Sequence, residues 1–493
     1  MAAIREPALA SSTTTVRHWR SRTHANFLLI LLTIAGGLLR FWHLGGESLW
    51  LDEGATVALA RTSWQHFAWV WWHGEASLQT IYFLLMRGWV HGGLSEAWLR
   101  LPSAFFGTVS IPLLYIVSRR CWMGTSEALA AAALLAFSPA HVYYSQEARS
   151  YALAIALVLL STYFFLLAVE RGDGRDWALW TVFAIAAFYT HYFTVLVPAA
   201  QAASLLFKPR PAPWRKVALC GAVVFAAAVP GLTYVFRAAP ENLHFVWMPR
   251  ADGKQVWHLL MFFGGSGVKV ALALVLWTLG VVAIARARRI APILFWRGCL
   301  VLLWAVLPAV ILGLISLREP MFLQRYMVFS LPAAVLLAGL GSGFLRKWKL
   351  GIALVIALCA ASLPSIAKQY RKPREDWRSA TNAVLTNAAP GDAVAFFPFY
   401  TRIMLDCYSA RVGTAPPLHV FAPGFYAVGE DDRNLLAELD RNPHSFRHVW
   451  LFFAGANPAD ADRAAQLQAK LQAIFGRPSE RKFADVEVLE YGR

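Results

Sequence analysis

Apolar runs close to the ~20 residues needed to cross hydrocarbon recur from residue 26 to residue 367. A bilayer core offers no water to the backbone, so runs of this kind become helices that satisfy their own N–H and C=O groups. Candidate spans fall at 26–44, 101–118, 126–144, 151–170, 176–190, 192–207, 217–236, 268–285, 299–317, 327–345 and 350–367. Composition agrees: the chain is 58% hydrophobic and only 15% charged, against about 25% charge in an ordinary soluble domain. Beyond residue 367 charge returns and apolar runs shorten to strand length. The expected fold is a polytopic α-helical membrane protein of about 11 transmembrane helices with a small C-terminal α/β soluble domain. Residues 1–25 would form a cytoplasmic N-terminal tail, 26–367 the membrane domain with an outer loop over 45–100, and 368–493 the soluble domain.

The net charge of +17 does not describe a nucleic-acid surface, because the basic residues fall in short clusters between apolar runs. With the N-terminus and its Arg17, Arg20 and Arg22 in the cytoplasm, every second loop is basic: Arg119/Arg120, Arg171/Arg175, Lys208 to Lys216, Arg286 to Arg289, and Arg346 to Lys349. That is the positive-inside pattern. Segment 177–207 must then be two short helices, and 78–92, which is short and contains Arg87 and His91, an interfacial or re-entrant helix. Eleven crossings leave the C-terminal domain on the outer side, in the periplasm or its equivalent. The first apolar segment is too long, and lacks the small-residue cleavage site, for a removable signal peptide. Five unpaired-looking cysteines indicate neither a disulfide framework nor a zinc site.

This topology gathers four polar stretches on the outer side: "SLWLDEG" (48–54), "YYSQEARSY" (143–151), "THYF" (190–193) and "REPMFLQRY" (318–326). A carboxylate near hydrocarbon costs free energy, so the acid pair Asp52/Glu53 needs a reason. One reason is chemistry, a general base with a neighbour that positions a ligand or metal; the other is an amphipathic helix whose first-turn acids face water and suit its dipole. Ser145 could cap a following helix with Glu147 in its first turn, or Glu147 could hold a hydroxyl while Arg149 holds a phosphate. Arg40, Arg61, Arg100, Arg149 and Arg325 run against the positive-inside trend and call for anions. Asp52, Glu53, Glu75 and Glu147 supply some, as plain ion pairs, and a phosphate group would supply the rest. His191 and Tyr192 form either an interfacial anchor or part of the site, and Tyr326 adjoins Arg325. "GGSG" (264–267) reads as a turn before a helix, and no dinucleotide or phosphate-loop fingerprint is present. In the C-terminal domain, strand-like 392–400, 448–453 and 485–491 alternate with a helix over about 458–474.

The ordered set "RFWHLGGESLWLDEG" (40–54), "EASLQTIYFLLMRGWV" (75–90), "LRLPSAFFGTVSIPLLYIVSRR" (99–120), "SPAHVYYSQEARSYAL" (138–153), "THYF", "QRYMVFSLPA" (324–333) and "REDWRSA" (374–380) resembles bacterial glycosyltransferase family 39. That family belongs to the GT-C superfamily with the protein O-mannosyltransferases and the lipid A aminoarabinose transferase. The resemblance implies a GT-C-type membrane domain and a polyprenyl phosphate-linked sugar donor used on the outer face. Its acidic pair falls on Asp52, the base, and Glu53; its second-loop acid on Glu147 beside Arg149; its late arginine on Arg325. At "EASLQT" the chain departs from the Pro-Pro pair of many relatives, which leaves the acceptor, whether lipid, polysaccharide or protein, unspecified. No cofactor is certain, although Asp52 and Glu147 could hold Mg²⁺ or Mn²⁺. Two other readings compete: a transporter or flippase, disfavoured because no internal repeat or midplane charge is visible, and a polysaccharide ligase that uses a diphosphate-linked donor.

Overall fold

The computed structural model describes residues 10–73, 79–121, 123–237, 249–345, 349–371, 375–412, 416–421, 433–442, 444–454 and 461–492. Its helices are α1 (Ala10–Phe41), α2 (Leu51–Arg61), α3 (Trp64–His73), α4 (Thr80–Trp89), α5 (Glu96–Arg120), α6 (Thr125–Ala136), α7 (Pro139–Ser145), α8 (Tyr151–Arg171), α9 (Gly174–Phe188) and α10 (Leu196–Ser204). They continue as α11 (Trp214–Arg237), α12 (Gly253–Gly264), α13 (Val268–Ile290), α14 (Pro292–Ile315), α15 (Leu331–Phe344), α16 (Leu350–Gln369), α17 (Trp377–Asn387), α18 (Arg402–Ser409), α19 (Arg433–Arg441) and α20 (Ala461–Phe475).

Every one of the eleven expected spans falls on a helical element. Among the described residues, eight helices are long and apolar enough to cross a membrane, nine if the bent pair α6–α7 counts as one. The other two expected spans are short: α9 has 15 residues, and Tyr192–Phe207 is a shorter apolar helical segment. This matches the expectation of two short helices over 177–207. Segment 78–92 contains α4, whose 10 residues reach only about 15 Å, half the hydrocarbon thickness. "GGSG" is the turn between α12 and α13, with Gly265 and Gly267 at φ +84° and +63°.

The bend between α6 and α7 is 56° and is held from outside the pair. Arg40, at the end of α1, is fully buried and aims its guanidinium at the last-turn carbonyls of Leu135 (3.0 Å) and Ala136 (3.1 Å) where α6 stops. A cation there meets both the carbonyls of the last turn and the negative end of the helix dipole. The same group reaches the Gly36 carbonyl and His141 Nδ1, each at 2.6 Å. Gln146 in turn donates to the carbonyls of Arg40 (3.2 Å) and Trp42 (2.7 Å), satisfying the end of α1.

The C-terminal domain is a five-stranded mixed sheet in the order β2 (His419–Phe421), β1 (Ala393–Phe397), β3 (His448–Ala454), β5 (Val486–Gly492), β4 (Ser479–Phe483). β1 runs parallel to β2 and β3, whereas β5 is antiparallel to β3 and β4, with Leu451 opposite Leu489. All five residues of β1 are buried, as a central strand covered on both faces requires. One face packs on α19 and α20 through Leu435, Leu439, Leu467 and Leu471. The other packs on α17 and α18, and through them on the outer-loop helices. Trp377, Phe396, Met404 and Tyr408 share one apolar core with Leu49, Val57, Tyr82 and Met86. The domain and the outer loop are thus a single packed unit.

Candidate active site

"SLWLDEG" forms the entry to α2. Asp52 and Glu53 both lie in its first turn, where the helix dipole favours acids. They do different things. Glu53 is fully buried and saturated: Arg100 Nε donates to Oε1 (2.8 Å), an Arg100 terminal nitrogen to Oε2 (2.6 Å), the Ala148 amide to Oε1 (2.7 Å) and the Trp50 amide to Oε2 (3.3 Å). Arg100 spends its remaining donors on the carbonyls of Leu44, Glu47 and Ser48 at 2.9–3.0 Å. The pair therefore knots the outer loop to α5 and to the 146–150 loop. It leaves no face of Glu53 or Arg100 for a ligand. This corrects the expectation of Glu53 in chemistry and of Arg100 on substrate. Arg40 is corrected likewise, since its guanidinium is committed to the α6 end.

Asp52 points the other way. Its carboxylate is 31% exposed and has an Arg325 guanidinium nitrogen at 3.6 Å and an Arg149 nitrogen at 3.8 Å. Arg149 is aimed by the Asp52 carbonyl (3.2 Å) and Thr56 Oγ1 (3.4 Å). Arg325 lies over the rings of Trp50 and Tyr326, with centroids 5.9 and 5.8 Å from its guanidinium carbon. Three of the four outer stretches thus meet at one carboxylate.

The fourth arrives through His191. Its buried ring stacks on Tyr192 at 5.8 Å and 6°, and lies 5.8 Å from Tyr151 and 6.1 Å from Tyr326. Its Nδ1 has no hydrogen-bond partner among the described residues. Burial, reinforced by the nearby charges of Arg149 and Arg325, pushes its pKa down to about 3, so the ring is neutral at physiological pH. Tyr144 joins this aromatic wall at 4.7 Å from Tyr151. Glu147 is buried beneath the wall, within electrostatic reach of Tyr82, Tyr144 and Tyr151. The expectation that Ser145 caps a helix with Glu147 in its first turn is corrected. α8 starts only at Tyr151, and Ser145 Oγ bonds back to the His141 carbonyl at 2.6 Å.

The 146–150 loop that carries Glu147 and Arg149 is fixed from three sides. Glu53 holds the Ala148 amide, Ser103 Oγ donates to the Arg149 carbonyl (3.0 Å), and Ser150 Oγ to Gln79 Oε1 (3.0 Å). The C-terminal domain braces the other side of "SLWLDEG". The Leu49 amide donates to the Tyr408 hydroxyl (2.8 Å), which lies 2.9 Å from Ser48 Oγ and donates to Glu96 Oε1 (3.0 Å). Glu96 Oε1 also takes Arg378 Nε (2.9 Å) and an Arg411 nitrogen (2.8 Å), while Met404 packs on Gly54 so closely that a Cβ there would overlap its sulfur.

Arg61 ends α2 away from this cluster, and Glu75 lies outside the described residues. Sequence reasoning missed Tyr144, Tyr151, Trp50 and Tyr408; the first two stand in the "YYSQEARSY" stretch, and their aromatic spacing was the available signal. Asp52 and Glu147 do not fit a metal. Among the described residues no three His, Cys, Asp or Glu side chains come together, and two guanidinium groups within 4 Å of Asp52 repel a dication.

A sequence profile described as dolichyl-phosphate-mannose-protein mannosyltransferase matches residues 81–234. No curated protein sequence matches the chain. Among solved structures, ArnT from Cupriavidus metallidurans in the apo state superposes with TM-score 0.64 at 16% identity, covering 95% of this chain and 98% of that one. The same protein bound to undecaprenyl phosphate gives 0.59 at 15%, covering 94% and 97%. The oligosaccharyltransferase of Archaeoglobus fulgidus in its apo form gives 0.56 at 13%, covering 88% of this chain and 70% of that one.

Proposed function

We propose that this chain, whose fold is the GT-C fold of membrane glycosyltransferases, moves a single sugar from a polyprenyl phosphate donor to an envelope acceptor on the outer face of a bacterial cytoplasmic membrane. The observation that carries the reading is the Asp52 carboxylate, open to solvent and flanked by Arg149 and Arg325, inside that fold. The complex of ArnT with undecaprenyl phosphate supports a polyprenyl carrier.

The reaction follows from the charges. An acceptor hydroxyl oxygen bonds to the anomeric carbon as the bond from that carbon to the phosphate oxygen breaks. Its electron pair leaves with the phosphate, and the hydroxyl proton passes to Asp52. Arg149 and Arg325 neutralise the growing charge on the phosphate in a partly dry site, where such stabilisation counts for most. In the absence of donor they rest on Asp52; turning to the phosphate, they release its carboxylate to take the proton. Direct displacement inverts the anomeric centre. Glu147 and the neutral His191 ring, with Tyr192 and Tyr326 beside it, bind sugar hydroxyls, and Glu53 with Arg100 act as positioning residues.

The test is mass spectrometry of envelope glycans from cells carrying the wild-type protein, the Asp52→Asn variant, or neither. One sugar present with wild type and missing in the other two is expected. Glycans identical in all three strains would end the proposal.

A further inference from the structure

A groove of about 430 Å³ opens where α2 ends, α3 begins and α4 ends, on the far side of α2 from Asp52. Asp52 and Arg61 are nine residues apart on α2, or about 14 Å along its axis. The groove walls carry three basic side chains, Arg61, Arg87 and His91, and no acid. Arg87 is set by the Leu59 carbonyl (3.2 Å) and lies 4.0 Å over the Trp64 ring. Its Nε–H is buried with no hydrogen-bond acceptor among the described residues. The acid acting on Arg61 is Asp406 of α18, which already pairs with Arg402 at 3.3 Å. Among the described residues the groove lining therefore sets three basic groups against one acid that Arg61 shares with Arg402. Leu84 and Leu94 supply an apolar wall, and α3 turns Trp64, Trp69 and Trp72 outward, 63%, 40% and 48% exposed. Outward tryptophans of this kind mark headgroup depth at a membrane surface.

We propose that this groove binds the phosphate of an anionic phospholipid, with Arg61, Arg87 and His91 on the headgroup and the leucine wall against the start of an acyl chain. The bound lipid anchors α2–α4, and with them Asp52, at a fixed depth. The site does not depend on the proposed transfer reaction and is distinct from the Asp52 cluster. A lipid is favoured over free phosphate because half of the lining is apolar and the tryptophans place the mouth at the interface.

The test is native mass spectrometry of the full-length protein in detergent, with phosphatidylglycerol, phosphatidylcholine of the same chains, and inorganic phosphate as probes. Wild type is expected to retain one phosphatidylglycerol in preference to phosphatidylcholine. Arg61→Gln/His91→Gln, both exposed positions, is expected to lower that retention about fivefold or more, at ~1 kcal/mol per surface charge. Arg61→Lys, which keeps the charge, should hold the lipid and guards against a folding artefact. Equal retention of the two lipids by wild type, or unchanged retention by the double variant, overturns the site. Displacement of the lipid by millimolar inorganic phosphate overturns the lipid assignment. None of these readouts involves sugar transfer, so they remain decisive if the transferase reading fails.

Discussion

Arg100 grips Glu53 with two parallel bonds, Nε to Oε1 at 2.8 Å and a terminal nitrogen to Oε2 at 2.6 Å, with both side chains essentially out of water. This is the bidentate arrangement that fixes direction as well as distance. It turns Glu53 inward, and because adjacent residues on a helix point about 100° apart, it leaves Asp52 facing the open site.

Glu53→Gln is therefore expected to damage folding more than chemistry. Removing one member of a buried pair strands the other charge and costs roughly 3–5 kcal/mol. Thermal unfolding in detergent should fall sharply for Glu53→Gln and for Arg100→Met alone. The double variant, which buries no stranded charge, should recover part of the loss.

Asp52→Asn is expected to leave the melting temperature unchanged, since its carboxylate is part exposed and its ion pairs, at 3.6 and 3.8 Å, are long. Transfer should drop by about 10²–10⁴-fold, the usual worth of a general base. Arg325→Gln should also cut transfer, and unlike Asp52→Asn it should weaken retention of undecaprenyl phosphate.

Tyr408→Phe tests the brace. It leaves the Leu49 amide and one bond to Glu96 unmade in a buried setting, a loss of about 1–3 kcal/mol. Limited proteolysis should then cut more readily between α16 and the sheet, and stability should fall although residue 408 lies far along the chain from the site.

Gly54→Ala should disturb the same contact sterically, because the new methyl overlaps the Met404 sulfur. Pairing it with Met404→Ala should restore stability beyond the sum of the single effects, measured as a double-mutant cycle. Independent behaviour of the two substitutions would contradict the packing described.

Chelation should not matter. With guanidinium groups occupying the space around Asp52, exhaustive dialysis against EDTA is expected to leave transfer activity at its starting level, and added Mn²⁺ to bring no gain.

The membrane helices were legible because hydrocarbon imposes one rule on length and polarity, and all eleven apolar segments fall on helices. The site was legible in part. Asp52, Arg149, His191 and Arg325 could be gathered by topology alone, as polar residues at outer ends of spans. Which charged residues face the ligand could not. Arg40, Arg100 and Arg325 look alike in sequence, each a cation at the edge of an apolar run. Only tertiary contacts separate Arg40, spent on the α6 carbonyls, and Arg100, spent on Glu53, from Arg325 at the open carboxylate. The role of the C-terminal domain was equally hidden, because a lone tyrosine in "DCYSA" (406–410) carries no pattern and gains meaning only by touching Leu49 and Glu96.

The core shared by the sheet domain and the outer-loop helices also sets an order of events during biosynthesis. Chains emerge N-terminus first and fold as they emerge, so α2 is made hundreds of residues before Met404 and Tyr408 are translated. Until those residues arrive, the segment ahead of Asp52 is held by Arg100 through the carbonyls of Leu44, Glu47 and Ser48 but lacks the Tyr408 hydroxyl on its Leu49 amide. A half-made protein would hold its membrane helices while the packing around Asp52 stays incomplete, and that packing would close only when translation is nearly complete.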